Sequence, residues 1–216
     1  LRRHRRALVF GSAGTGKTVL AVHKAAQLAG HGFDVLLVCF NRPLADHLSS
    51  EIGESDRVTV ASFHKLCTDE SKTAGLPFQG QGTLWWDATL PNQLAEAAAA
   101  NGTSFDAVVV DEGQDVSAEW WVHLQLLLRE PDEGGFYVFA DAEQAIFRDG
   151  WEPPFQGIEF ELTTNCRNTL PIATLVASIY GREVDSLGAD GPAPSFTAIA
   201  RKGEIKDAVR KVLYRL

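Results

Sequence analysis

Gly11-Ser12-Ala13-Gly14-Thr15-Gly16-Lys17-Thr18 fits the pattern G-x-x-x-x-G-K-[ST] in full. Before it, Ala7-Leu8-Val9-Phe10 is a short apolar run that ends in glycine, as a buried parallel strand does ahead of a loop. After it, the residues Leu20, Val22, Ala25, Ala26 and Leu28 give a mostly apolar helix from Lys17 to about Ala29, stopped by Gly30-His31-Gly32. A loop of this composition between a strand and a helix is a phosphate cradle. Glycine lets the backbone wrap an anion with its N–H groups turned inward, and the helix adds the positive end of its dipole. The backbone of Gly11, Ser12, Ala13, Gly14, Thr15 and Gly16 is expected to hold the phosphates of ATP, with Lys17 on the β- and γ-phosphates and Thr18 on Mg²⁺. The competing reading, a Gly-rich turn that binds nothing, is disfavoured by the strand and helix on either side.

Outward from the loop the pattern continues. Asp34 to Phe40 reads as a second buried strand, Asn41-Arg42-Pro43 breaks it, Leu44 to Ile52 forms a helix, and Val58-Thr59-Val60 is a short strand. This βαβαβ order is the signature of a parallel sheet with helices on both faces, and with the loop from Gly11 to Thr18 the expected fold class is α/β, a P-loop NTPase. Residues 68–102 are less regular, with Gly75, Pro77, Gly80, Gly82 and Pro91 around the bulky pair Trp85-Trp86, and read as an insertion. The sheet resumes at Ala107-Val108-Val109-Val110. A helix capped by Ser117 carries Trp120, Leu124, Leu127 and Leu128, and Phe136 to Ala140 is the next strand. Further on come a strand near Ile158 to Leu162, a helix from about Pro171, a strand at Ser195 to Ala200 and an amphipathic helix from Ile205.

Composition narrows the class. The 216 residues are 45% hydrophobic and 22% charged, ordinary for a water-soluble globular chain, and no apolar run approaches the ~20 residues of a membrane span. The basic start Leu1-Arg2-Arg3-His4-Arg5-Arg6 precedes too short an apolar segment for a signal peptide, so a cytoplasmic location without membrane contact is expected. Cys39, Cys67 and Cys166 form no C-x-x-C pair and read as reduced thiols. A net charge of −8 is the wrong sign for a broad nucleic-acid-coating surface, so any such contact must be local. The absence of methionine suggests a piece of a longer protein.

Val108-Val109-Val110-Asp111-Glu112 sets two carboxylates at the C-terminal end of a buried strand, where ligands bind in open parallel sheets. Asp111 is expected in the Mg²⁺ shell, and Glu112 is expected to polarise the water that attacks the γ-phosphate. The second carboxylate argues for hydrolysis over storage of nucleotide.

Asp111-Glu112-Gly113-Gln114-Asp115 resembles the DExQD box of superfamily 1 helicases of the UvrD/Rep type. Cys39 to Ala45 looks like that family's motif Ia, Ala61-Ser62-Phe63-His64-Lys65-Leu66 like motif Ib, Phe139 to Phe147 like motif III and Leu162 to Thr169 like motif IV. The resemblance implies two RecA-like domains, residues 1–155 as the first and 156–216 as the incomplete start of the second. The inserted 1B domain is then reduced to about 68–102. It implies that Gln144 senses the γ-phosphate and that Arg167 is an arginine finger. It also implies that Asn41, Phe63 and His64 touch single-stranded DNA, with Arg42 a phosphate contact and Phe147 or Trp151 a stacking face of the kind that contributes ~1–3 kcal/mol per base. Phe63 and Phe147 as core aromatics, and His64 as a hydrogen-bonded structural histidine, are the plainer alternatives. The sequence departs from the family in several places. The Q motif has no room before Leu1, Cys166 stands where the adenine-stacking tyrosine usually is, and motifs V and VI are absent.

The expected function is an ATP-dependent DNA helicase or DNA-stimulated ATPase, of 3′ to 5′ polarity as the resemblance implies. Its partners would be single-stranded or partly duplex DNA and the remainder of the second RecA-like domain. A nucleotide-gated scaffold serving a fused nuclease domain is the runner-up. A small-molecule kinase is disfavoured, because no Arg-rich lid is legible and Asp111 to Asp115 and Gln144 have no purpose there.

Overall fold

Runs such as Val35-Leu36-Leu37-Val38-Cys39 are apolar at every position, so a strand made of them needs cover on both faces. The computed structural model, which describes residues 4–53, 55–77, 80, 82–141, 152–181, 185–196, 198, 199 and 201–213, provides it. The strands β1 (Arg6–Gly11), β2 (Val35–Cys39), β3 (Val58–Ser62), β4 (Ala107–Val110), β5 (Gly135–Ala140) and β6 (Ile158–Leu162) form one sheet in the order β3-β2-β4-β5-β1-β6. Every neighbouring pair in it is parallel. Alternate side chains divide the core. Ala7, Val9, Leu37, Val109 and Phe139 pack under α1 (Lys17–Gly30) and α2 (Arg42–Ile52). Leu8, Leu36, Val108, Val110 and Phe136 pack under α3 (Phe63–Thr73), α4 (Leu90–Asn101) and α5 (Ala118–Leu126). The expected α/β sheet with helices on both faces is therefore present. Among the described residues no helix is long and apolar enough to cross a membrane.

Four local expectations differ from the structure. The stretch 68–102 is largely helical: α3 runs to Thr73, a π-helical turn covers Trp85–Thr89, and α4 packs along α3. Pro91 lies in the first turn of α4, where a missing N–H leaves no helical bond broken, and Gly102 ends the helix at φ 71°. Residues that read as breakers are thus helix punctuation. Second, β6 lies beyond the boundary drawn at 155/156, yet it pairs with β1 over five residues, from Ala7↔Ile158 to Gly11↔Leu162. Third, Ser195, Phe196, Ala198 and Ile199 carry no strand. Fourth, Ser117 stands at the N-cap of α5, but its hydroxyl makes no capping bond. Past β6, β7 (Thr164–Asn165) pairs in parallel with β8 (Asp185–Ser186); α6 (Leu170–Tyr180) falls between them in the chain and α7 (Ile205–Leu213) follows.

The sheet order fixes where a ligand can sit. β5 lies between β1 and β4, in the registers Phe10↔Ala140 and Val110↔Val138. Gly11, Asp141 and Asp111 therefore leave three adjacent strands at one edge of the sheet. The chain leaves β1 to build β2 three positions along the sheet, with β5 and β4 between them, and such switch points open a crevice at the carboxyl ends of the strands.

Candidate active site

Gly14 and Gly16 hold φ of 85° and 88°, a region that costs an L side chain but not glycine. At Gly14 a Cβ would also lie 2.9 Å from the Asn165 amide. These two glycines fold the loop back over the start of α1. That helix has no side-chain cap and no acid in its first turn, so its leading N–H groups remain for an anion. Lys17 is only 8% exposed, and its Nζ donates to the Gly11 carbonyl at 2.7 Å and the Ser12 carbonyl at 3.0 Å. It also lies 3.8 Å from the Asp141 carboxylate. The ammonium is held inside the loop by groups that phosphate oxygens can replace.

Asp111 is fully buried, and among the described residues neither carboxylate oxygen has a hydrogen-bond partner. Burial, with the Glu112 charge adding to it, pushes its pKa up to about 6. The Thr18 hydroxyl and the Glu112 N–H pull the other way from beyond hydrogen-bond geometry, as does the Lys17 charge. An unsatisfied carboxylate in a dry site costs free energy unless something cationic completes it. Two vacant oxygens beside a threonine hydroxyl are the hard donors a Mg²⁺ ion takes, so the residues fit that cation.

Glu112 adopts φ 55° and is the one described non-glycine residue in the left-handed region. That backbone, sparsely populated for such a residue, turns the chain sharply off β4. Gln114, 3% exposed, donates its amide to Glu112 Oε2 at 2.6 Å and accepts the Asp141 N–H at 3.0 Å.

The far wall comes from beyond β6. Asn165, 1% exposed, donates Nδ2 to the Ala13 carbonyl at 3.0 Å, and the Cys166 N–H donates to the Gly14 carbonyl at 2.8 Å. The Asn165 side-chain oxygen accepts the N–H groups of Arg167 and Asn168 at 3.1 and 2.9 Å. One buried amide thus ties the phosphate loop to the segment that carries Arg167. The result is an open cleft of about 550 Å³ lined by Gly14, Lys17, Thr18, Glu112, Cys166 and Arg167 among others. Cys39 and Cys67 are buried and do not line it; their thiols are pushed up to about 12 chiefly by burial, with the Asp111 charge adding to it at Cys39.

Of the residues expected around phosphate and metal, Ala13, Gly14, Gly16, Lys17, Thr18, Glu112 and Arg167 line one cleft. Sequence reasoning gave no role to Gln114, Asp141 or Asn165. Their signal was present, as polar residues inside the motif segments, but which of them turn inward is a tertiary property.

The residues expected on DNA fare differently. Asn41 is the N-cap of α2, its side-chain oxygen accepting the Leu44 N–H at 2.8 Å. Arg42 is exposed and pairs with Asp46 at 3.8 Å. Phe63 is 1% exposed and stacks on Trp120, centroids 4.4 Å apart and planes 17° from parallel. Its reading as a DNA contact is corrected to the core aromatic, since the ring offers no surface to a base. His64 is half-buried, its Nε2 bonded to the Trp86 carbonyl at 3.0 Å. Gln144, Phe147 and Trp151 lie outside the described residues.

The AAA domain family (AAA_19) matches residues 1–148, more than half of the chain. No curated protein matches the chain. Among solved structures the chain is similar to the PRRSV helicase, at 12% identity and a TM-score of 0.48. That likeness covers 91% of this chain and 38% of the other, so the chain spans well under half of that helicase's length. With the phosphate loop, the acidic strand end and the cleft between them in place, the chain belongs to the AAA domain family of helicase-like P-loop ATPases.

Proposed function

We propose that this chain is the nucleotide-hydrolysing part of an ATP-dependent DNA translocase or helicase of the UvrD/Rep type, moving 3′ to 5′ along single-stranded DNA. The observation that carries the reading is the convergence on one cleft of Lys17, Thr18, Glu112 and Arg167, which the chain supplies from three separated segments. ATP would exchange its phosphate oxygens for the Gly11 and Ser12 carbonyls on Lys17. Asp111 and Thr18 would hold Mg²⁺, which when bound neutralises phosphate charge. Glu112 would orient the attacking water and accept its proton, and Arg167 would stabilise charge on the transferring phosphoryl group. Gln144 would report the γ-phosphate to the DNA track. Residues 164–213 would open the second RecA-like domain, whose remainder closes the site in the whole protein.

The experiment is ATP turnover by the protein that carries this chain, with and without oligo(dT). Stimulation by the oligonucleotide, abolished by Glu112→Gln with ATP binding retained, is expected. Turnover indifferent to DNA, or surviving Glu112→Gln, rejects the reading. Tight ATP binding without any turnover favours the nucleotide-gated scaffold.

A further inference from the structure

We infer that Trp86 is a stacking platform for a base of single-stranded nucleic acid, taking the place in the binding track that Phe63 is too deeply buried to fill. The inference rests on the translocase reading above.

A tryptophan left 40% exposed beside Leu84, itself 76% exposed, is apolar surface that needs a reason. This ring is also held in place. It belongs to the π-helical turn Trp85–Thr89, which Trp85 anchors in the core at 9% exposure. Two side chains grip consecutive carbonyls of that turn: His64 Nε2 meets the Trp86 carbonyl at 3.0 Å, and Trp120 Nε1 donates to the Asp87 carbonyl at 3.0 Å. The His64 ring stands at 83° to the Trp86 ring, 5.9 Å away, and at 84° to Trp120, 4.9 Å away. Trp120 in turn stacks on Phe63 and, at 6.2 Å and 15°, on Phe40. The 40% exposed indole is thus joined to a rigid aromatic cluster, and an aromatic face held in advance loses little freedom when a base stacks on it.

Its place in the fold fits. Phe40 follows β2 and His64 follows β3, so the cluster sits at the same carboxyl edge of the sheet as the phosphate cleft, next to the strand that ends in Asp111. The nearby cations Arg42 and Lys65 already pair with Asp46 and Asp69. Phosphate attraction is accordingly modest, and the base is what this surface recognises.

The test is equilibrium binding of oligo(dT) and of an abasic strand of equal length to the full protein. Trp86→Ala and Trp86→Leu are expected to bind oligo(dT) about ten-fold more weakly, and Trp86→Phe within about three-fold of the wild type. Binding of the abasic strand should be the same for all four proteins. Trp86→Leu keeps apolar bulk without a π face, so it carries the test if the alanine variant does not fold. Oligo(dT) binding by Trp86→Leu equal to that of the wild type, or an equal loss on the abasic strand, overturns the inference while the translocase reading stands. A wild type that neither binds oligo(dT) nor hydrolyses ATP faster in its presence overturns both.

Discussion

The Gln114 amide donates to Glu112 Oε2 at 2.6 Å while its oxygen accepts the Asp141 N–H at 3.0 Å. A single buried side chain therefore sets the position of the carboxylate proposed to activate water against the end of β5, the strand between β1, which leads into the phosphate loop, and β4, which leads into Asp111. Gln114→Ala releases Glu112 and leaves the Asp141 N–H without its partner. The expected outcome is a turnover lowered by about ten-fold or more, with ATP affinity within about three-fold of the wild type. Folding stability should fall by about 1–3 kcal/mol, the cost of an unpaired buried donor. Single-turnover hydrolysis and urea unfolding check the two parts.

Asn165 makes three hydrogen bonds from one buried amide, to Ala13, Arg167 and Asn168. Asn165→Ala should destabilise the protein by about 1–3 kcal/mol and weaken ATP binding, because it frees the phosphate loop and the Arg167 segment at once. Asn165→Asp keeps the acceptor for Arg167 and Asn168 but turns a carboxylate oxygen toward the Ala13 carbonyl. Its loss of ATP affinity should match or exceed that of the alanine variant. Titration calorimetry with a non-hydrolysable ATP analogue reads both.

Burial raises the Asp111 carboxyl from its usual 3.8 to about 6. The folded protein then binds more protons than the unfolded chain between those values, so without nucleotide its stability falls as pH rises from about 4 to about 6. The full effect is at most about 3 kcal/mol. Mg²⁺ needs the carboxylate, so Mg·ATP affinity should climb as pH rises toward 6 and level off above it, by up to ten-fold per unit. Asp111→Asn should abolish both slopes. Unfolding curves from about pH 4 to 8 and Mg·ATP titrations from about pH 5 to 8, on wild type and variant, provide the check, and the variant subtracts the titration of ATP itself.

The sheet and its phosphate edge were legible in the sequence because their signals are local. Continuous apolar runs mean two-sided burial, and the spacing from Gly11 to Thr18 needs no distant partner to be read. The helical character of 68–102 was hidden by glycine and proline, whose meaning depends on whether they fall inside a helix or at its ends, as Pro91 and Gly102 do. Asn165 was invisible as a tether because its partner Ala13 lies 152 positions away. At Phe63-His64, adjacent residues on a helix point in different directions, and composition cannot say which one faces the core. The structure turns Phe63 inward.

That orientation yields the last prediction. Phe63, at the start of α3, is 1% exposed and stacked on Trp120, so Phe63→Ala opens a cavity within the aromatic cluster and should cost about 3–5 kcal/mol of stability. Phe63→Leu preserves most of the volume and should cost under about 2 kcal/mol. If Phe63 contributed by stacking on a base, the leucine variant would lose oligo(dT) affinity in proportion to its missing ring while staying folded. If it is a core residue, the leucine variant should bind oligo(dT) within about two-fold of the wild type despite a measurable fall in Tm. Melting and binding curves on the same preparation separate the two roles, since a packing residue moves the first and a contact residue the second.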